Sequence, residues 1–399
     1  MRRLALFLLI MQFAPICVAQ QDRSIEADQL FMAGRRLDAL PLYEQLAKEN
    51  PNEMLYAERL ADCYSAKALQ YDEKTDKEMI VHYRTLARDS AKNAVALGDK
   101  TIYIHSIAGS DPNNTAPLNP ESIASGLLNE GEKAYTAGDF QTAFQEYTAA
   151  AELDPKLYLA SLYAGDTAFT QRDLATASKW FARAISIDPD RETAYRYWGD
   201  AITKYGNDPM GAREKYIQAI IAEPYNSLAW QGVKQWAAIE NAIVQAPRID
   251  RPTGAIENAD DPKNIKVIMD PDFTNEQKQP GSSAWVEYML TRAHFQTEEF
   301  KKEFPNEKEY RHTLAEEHEA LSAVAEAVKA KHINQQNLDE SLRNLLMLFD
   351  AGMLDCWILI SNADEGISHD YPAYRKDHRQ LLHVYLDKYV VRPGTTPGK

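Results

Sequence analysis

The sequence predicts an all-α protein: a run of helix–turn–helix units followed by a helical C-terminal domain. Three observations carry that expectation. Gly131, Gly165 and Gly199 recur at spacings of 34 and 34 residues. After each comes a small–aromatic–small set: Ala143, Tyr147 and Ala150; Ala177, Phe181 and Ala184; Ala212, Tyr216 and Ala219. Spacings of four and three put such side chains on one helical face. Pro155, Pro189 and Pro224 close the units, because proline cannot continue a helix and biases its predecessor away from helical geometry. A glycine inside a helix costs about 1 kcal/mol relative to alanine, so its recurrence marks close helix–helix approach. One such unit cannot bury its apolar face alone, whereas neighbouring units share a core.

Taken in order, the chain opens on MRRLALFLLIMQFAPICVAQ. Arg2 and Arg3, an apolar run from Leu4 to Ile16 and Cys17-Val18-Ala19 follow the order of a secretory signal peptide, with cleavage after Ala19. The run is short for a membrane span, which wants about 20 apolar residues, and bulky Ile16 disfavours lipidation at Cys17. Residues 20–99 hold two weaker copies of the unit. The first places Ala27, Leu30, Gly34, Ala39, Tyr43 and Pro51 in register. The second carries Leu60, Ala61 and Tyr64, then an insertion of 14 residues before its small positions resume at Ala87, Ala91 and Ala94. Residues 100–121 are expected to be a linker, since HSIAGSDPNNTAPLNPES lacks periodicity and is dense in turn formers. Asn119 and Pro120 suit an N-cap and a first helical position.

Residues 122–244 then hold the three clear units and a capping helix in SLAWQGVKQWAAIENAI. Prolines 247, 252, 262, 271 and 280 make residues 245–282 a linker in which only NIKVIM looks strand-like. From Ser283 to Lys399 helical patterning resumes. Trp285, Tyr288, Met289 and Arg292 share one face. A long helix is expected over residues 307–332, with Leu314, His318, Leu321, Val324 and Val328 in register and His318 a hydrogen-bonded core residue. LDCWILI fits helix or buried strand equally, and RKDHRQLLHVYLDKYVV makes a last helix.

The 34-residue unit resembles the tetratricopeptide repeat, over roughly residues 22–99 and 122–243. That resemblance implies that the first helix of each unit lines a concave groove for a bound peptide. One offset in that helix is acidic in all five units: Asp28, Asp62, Glu132, Asp166 and Asp200. Three residues later stand Phe31, Ser65, Tyr135, Phe169 and Thr203, with Tyr163 and Tyr197 beside them. The expected partner-binding groove is therefore Asp28, Asp62, Glu132, Tyr135, Tyr163, Asp166, Phe169, Tyr197 and Asp200. Some members of the family capture a C-terminal carboxylate with Lys and Asn here. Acids do not suit that mode, and an extended basic or neutral segment of a protein partner fits better. The alternative is that the acids serve helix stacking. Tyr147, Phe181 and Tyr216 read as core rather than as a cofactor site.

Composition narrows the function further. Of 399 residues, 44 are Lys or Arg and 59 are Asp or Glu, a net charge of −15. This balance disfavours nucleic acid as a partner, and loss of residues 1–19 removes two arginines and no acid. Cys63 and Cys356, left in the mature chain, are expected to be buried free thiols. No phosphate-cradling loop, zinc-type cysteine pair or HExxH helix occurs. His312, Glu316 and Glu319 share a helical face that can hold a metal, but a solvated face explains them as well. No catalytic residue, metal or cofactor is assigned. The expectation is a secreted or periplasmic scaffold and not an enzyme. The alternatives are a glycan-binding envelope protein, or an enzymatic activity in the C-terminal domain.

Overall fold

The computed structural model describes residues 23–114, 117–252, 254–257, 266–269, 276 and 279–394. The signal segment 1–19 and part of the 245–282 linker lie outside the described residues.

The recurring glycines explain the helix pairing. Helices α6 (Pro120–Thr136) and α7 (Phe140–Leu153) pack antiparallel, as do α8 (Tyr158–Thr170) with α9 (Leu174–Ile187) and α10 (Glu192–Tyr205) with α11 (Pro209–Ala222). A Cβ added to Gly131 would stand 2.5 Å from Cε1 of Tyr147. At Gly165 it would meet Cδ1 of Phe181 at 2.7 Å, and at Gly199 Cε1 of Tyr216 at 2.7 Å. Each pair closes until the aromatic ring lies on bare backbone, so only glycine fits. Ala143, Ala150, Ala177, Ala184, Ala212 and Ala219 are wholly buried around these rings. The turns are capped alike: Asp139 accepts from the Thr142 amide (3.1 Å), Asp173 from Thr176 (3.0 Å) and Asp208 from Gly211 (2.8 Å). Each carboxylate satisfies an amide that the helix cannot.

The chain gathers into two compact units, Met1–Ile187 and Asp188–Lys399. In the first, residues 23–32 form α1, followed by α2 (Arg36–Glu49), α3 (Met54–Ala68), α4 (Lys77–Ala96) and α5 (Ile102–Gly109), and then α6 to α9. From α2 onward each helix packs on its neighbour in sequence. The insertion in the second copy is accommodated in two ways. Part forms the turn before α4, where Asp72 accepts from the Lys74 amide. The rest lengthens α4 to 20 residues, which keeps Ala87, Ala91 and Ala94 wholly buried. Helix α5 corrects the sequence expectation, because it occupies the start of the stretch read as a loop. Ile104 and Ile107 hold it in the core, although the sequence there is too short to show a period. Asn119 caps α6, its side chain accepting from the Ser122 amide at 2.7 Å.

The second unit packs α10, α11 and α12 (Ser227–Glu240) with the C-terminal helices. These are α13 (Trp285–His294), the short α14 (Phe300–Glu303), α15 (Leu314–Ala330), α16 (Glu340–Asp350), α17 (Leu354–Ser361), the short α18 (Glu365–Ser368) and α19 (Tyr371–Tyr385). The segment LDCWILI is thus helical, lying within α17. Two short antiparallel ribbons complete the unit. Strand β1 (Ala242–Val244) pairs with β4 (Val391–Pro393), and β2 (Gly254–Glu257) with β3 (Lys266–Met269), the strand foreseen in NIKVIM. The long helix expected from residue 307 starts only at Leu314, because Thr313 caps it by accepting from the Glu316 amide.

The chain divides at Ile187 and Asp188, so the last glycine-containing pair packs with the C-terminal helices across the 245–282 stretch. Side chains of α19 explain this. The Tyr371 hydroxyl donates to the Ile221 carbonyl at 2.6 Å, and Arg375 donates to the Ala222 carbonyl. These are carbonyls that the end of α11 leaves without helical partners. Arg213 on α11 reaches Asp387 at 2.5 Å. His383 meets Glu214 at 2.7 Å, and Arg379 meets Asp190 at 3.0 Å.

Candidate functional site

In the first unit the acidic offset meets tyrosine hydroxyls. Tyr147 donates to Glu132 at 2.9 Å, and its ring lies 5.4 Å from that of Tyr163. Tyr135 donates to Asp166 at 3.0 Å and shares a bond with the Thr170 hydroxyl at 3.2 Å. Glu132, Tyr135, Tyr163 and Asp166 therefore form one connected patch. Half-buried Phe169 lies beside Thr170 on the same helix. Among the described residues no Lys or Arg is paired with Glu132 or Asp166. The Asp166 carboxyl is raised above its ordinary value by burial and by the nearby charge of Glu132, although the bond from Tyr135 opposes the shift. Two acids thus share a partly buried face, neither paired with a Lys or Arg among the described residues.

The other acids of the offset are placed differently. Asp28 accepts from Tyr43 at 2.7 Å. Beside it Phe31 is flanked by the guanidinium groups of Arg36 and Arg59, 5.1 and 4.2 Å from its ring centre. Asp62 is already engaged, by Arg36 at 2.7 Å and by Tyr103 at 2.9 Å. In the second unit Asp200 accepts from Tyr216 at 2.8 Å. Arg196 binds Glu192 at 2.9 Å while lying 4.9 Å over Tyr197. Asp200 and Arg196 open on a cleft of about 120 Å³ that Gln231 and Gln235 of α12 also line.

These pairings follow a rule that sequence reasoning missed. The acid lies 15 residues before its tyrosine in Asp28–Tyr43 and Glu132–Tyr147, and 16 before it in Asp200–Tyr216. The signal was present as an acid–tyrosine separation of 15 or 16 residues. In the remaining clear unit Phe181 replaces the tyrosine, and Asp166 instead takes its donor from Tyr135, 31 residues back. Burial and the bond to the acid raise the hydroxyl pKa of Tyr43, Tyr147 and Tyr216.

A glycine seated on an aromatic ring, an aspartate-capped turn and a proline exit recur with a 34-residue period. In fold, these helix pairs are tetratricopeptide-like repeats. No protein-family model and no curated protein sequence matches the chain. Among solved structures, the Arabidopsis OM64 tetratricopeptide domain shares 19% identity, covering 30% of this chain and 99% of its own, at a TM-score of 0.29. The first such domain of human RPAP3 shares 21%, covering 30% and 93%, at 0.28. YrrB, described as a repeat protein with an unusual peptide-binding site, shares 17%, covering 52% and 88%, at 0.26. None of these likenesses bears on what this chain binds.

The helices that follow the last tetratricopeptide repeat bury a second polar cluster. Glu316 and Glu317, on the first turn of α15, are wholly buried. Arg292 and Tyr310 donate to Glu316 at 2.8 Å, and Glu317 receives Tyr288 at 2.8 Å together with Arg251. His312 precedes α15 and lies 3.0 Å from Glu317, whereas Glu319 is exposed, so His312, Glu316 and Glu319 do not share one helical face. His318 is a further correction: it is half exposed and binds Asp355 at 2.5 Å. The helical phase that starts at Thr313 turns it outward. Cys63 and Cys356 are free and buried, and burial pushes each thiol up to about 12. No described helix is long and apolar enough to cross a membrane.

Proposed function

We propose that the chain is an exported, non-enzymatic scaffold whose tetratricopeptide repeats hold an extended, basic segment of a partner protein. The reading rests on the patch of Glu132, Tyr135, Tyr163, Asp166 and Phe169. Among the described residues its two carboxylates have no paired cation, and aromatic rings lie beside them. A partner Lys or Arg supplies the missing charge and stacks on those rings, a contact worth about 0.5–2 kcal/mol. Asp62 is neutralised by Arg36, and Asp28 and Asp200 lie beside arginines, so the patch around Asp166 is the primary contact. The tripartite order of residues 1–19 supports export.

The test compares Glu132→Gln with Asp166→Asn, singly and together, against short extended peptides graded from basic to acidic. The parent should prefer basic peptides and lose affinity with salt, and the double variant should bind roughly tenfold more weakly with a flatter salt slope. A carboxyl whose pKa is raised by folding disfavours the ionised fold. The fold therefore loses stability as pH rises through the window above the ordinary aspartate value. Asp166→Asn keeps an acceptor for Tyr135, so its Tm at pH 7 should hold or rise while binding falls. Equal binding of acidic and basic peptides, or a large loss of Tm without loss of binding, overturns the reading.

A further inference from the structure

His312 stands between two carboxylates. Its Nδ1 is 2.7 Å from Asp364 Oδ2, and its Nε2 is 3.0 Å from Glu317 Oε2. An ionised carboxylate only accepts, and a neutral imidazole carries a single N–H. Both bonds therefore require the doubly protonated, charged ring. We propose that His312 is a proton-operated latch: charged, it fastens the α18 turn to the entry of α15, and neutral, it lets that turn open.

The neighbouring charges decide which bond fails. From α15, Glu316 lies 4.0 Å from the ring, and Glu317 is bound to it. From α13, Arg292 pairs with Glu316 and Tyr288 donates to Glu317. Arg251, upstream of β2, pairs with Glu317, and Tyr310 donates to Glu316. Glu317 therefore keeps two donors when His312 loses its proton. Glu317 is wholly buried, so no water can replace the imidazole N–H there, whereas Asp364 is half exposed, keeps the Ile367 amide at 2.9 Å and can take water in place of the ring. The His312–Asp364 bond is the one that breaks. Beside it Arg311 holds the Gly366 carbonyl at 2.9 Å and Asp370 at 2.7 Å. Arginine stays charged throughout and keeps the Gly366 carbonyl and the Asp370 end docked, so opening is confined to Asp364 and to the Ile367 and Ser368 amides that donate to it.

The turn is pressed closely enough for its release to matter. A Cβ on Gly366 would stand 2.6 Å from the His312 carbonyl oxygen. Ile367 is wholly buried. Ser368 lies on the rim of a cleft of about 400 Å³ shared by Tyr225, Tyr371 and Arg375. Burial works against a charged His312, but its bonds to Glu317 and Asp364 outweigh that, so its pKa is raised above 6.5. The latch is therefore complete below that value and is lost as pH rises through the raised one.

The experiment uses the full chain, with ¹⁵N imidazole shifts and amide exchange followed from about pH 5 to 9.5, and His312→Gln assigns the resonance. His312 should titrate above the ordinary imidazole value and carry both protons below its midpoint. Protection of the Ile367 and Ser368 amides, corrected for base catalysis, should fall about tenfold per pH unit beyond that midpoint. The Leu314 amide, bound to Asp370 at 2.8 Å, should stay protected. In His312→Gln the Ile367 and Ser368 protection should be low and flat with pH. A midpoint at or below 6.5, a flat profile in the parent, or equal loss at Leu314 overturns the proposal. If the variant does not fold, the parent's titration and exchange decide it alone.

Discussion

At the scale of single residues, the recurring acid is a structural acceptor, and the proposed binding rests on it at Glu132 and Asp166. Tyr216 shows the structural part. Its ring lies on Gly199 and its hydroxyl donates to Asp200 while sharing a bond with Thr203 at 3.1 Å. Tyr216→Phe keeps the ring and deletes the donor, so urea unfolding should show a loss of about 1–2 kcal/mol. A loss within error would mean that the acid does not support the pair. The offset itself was legible in the sequence, but the pairing of each acid was not. Asp62 and Asp166 have the same position in their units, yet Arg36 neutralises one and Tyr135 donates to the other. Those partners lie 26 and 31 residues away, and nothing local announces them.

At the scale of elements, the glycine–ring contact sets the distance between paired helices. Gly165→Ala gains about 1 kcal/mol of helix propensity, but its methyl group would enter the Phe181 ring at 2.7 Å. Overpacking of this kind costs about 1–3 kcal/mol, so denaturant melts should show a net loss, and a gain would place the helices further apart than described. The repeat helices were readable because glycine, aromatic and proline recur at fixed separations. Helix α15 was read less well, since its periodicity continues smoothly into residues 307–313 while the cap at Thr313 stops it. Its first turn buries Glu316 and Glu317, a placement that an apolar period cannot reveal, because their partners Arg251, Arg292 and Tyr288 come from other segments.

At the scale of the molecule, Tyr371, Arg375 and Arg379 make the C-terminal helices part of the fold of the last repeat. A chain ended after Val244 should lose amide protection in α10 and α11 and melt less cooperatively, while the α6–α9 pairs keep theirs. Full protection throughout would show that the last repeat stands alone. The sequence suggested a boundary in the proline-rich stretch because its composition changes there. Composition does not record that α19 returns to α11. This return also limits how the protein can be rebuilt. A spare repeat grafted at Asp154–Pro155 would meet helices of its own kind on both sides. The same graft at Glu223–Pro224 would cover the Ile221 and Ala222 carbonyls that Tyr371 and Arg375 now occupy. The solenoid is thus modular within its interior and closed to extension at its last pair.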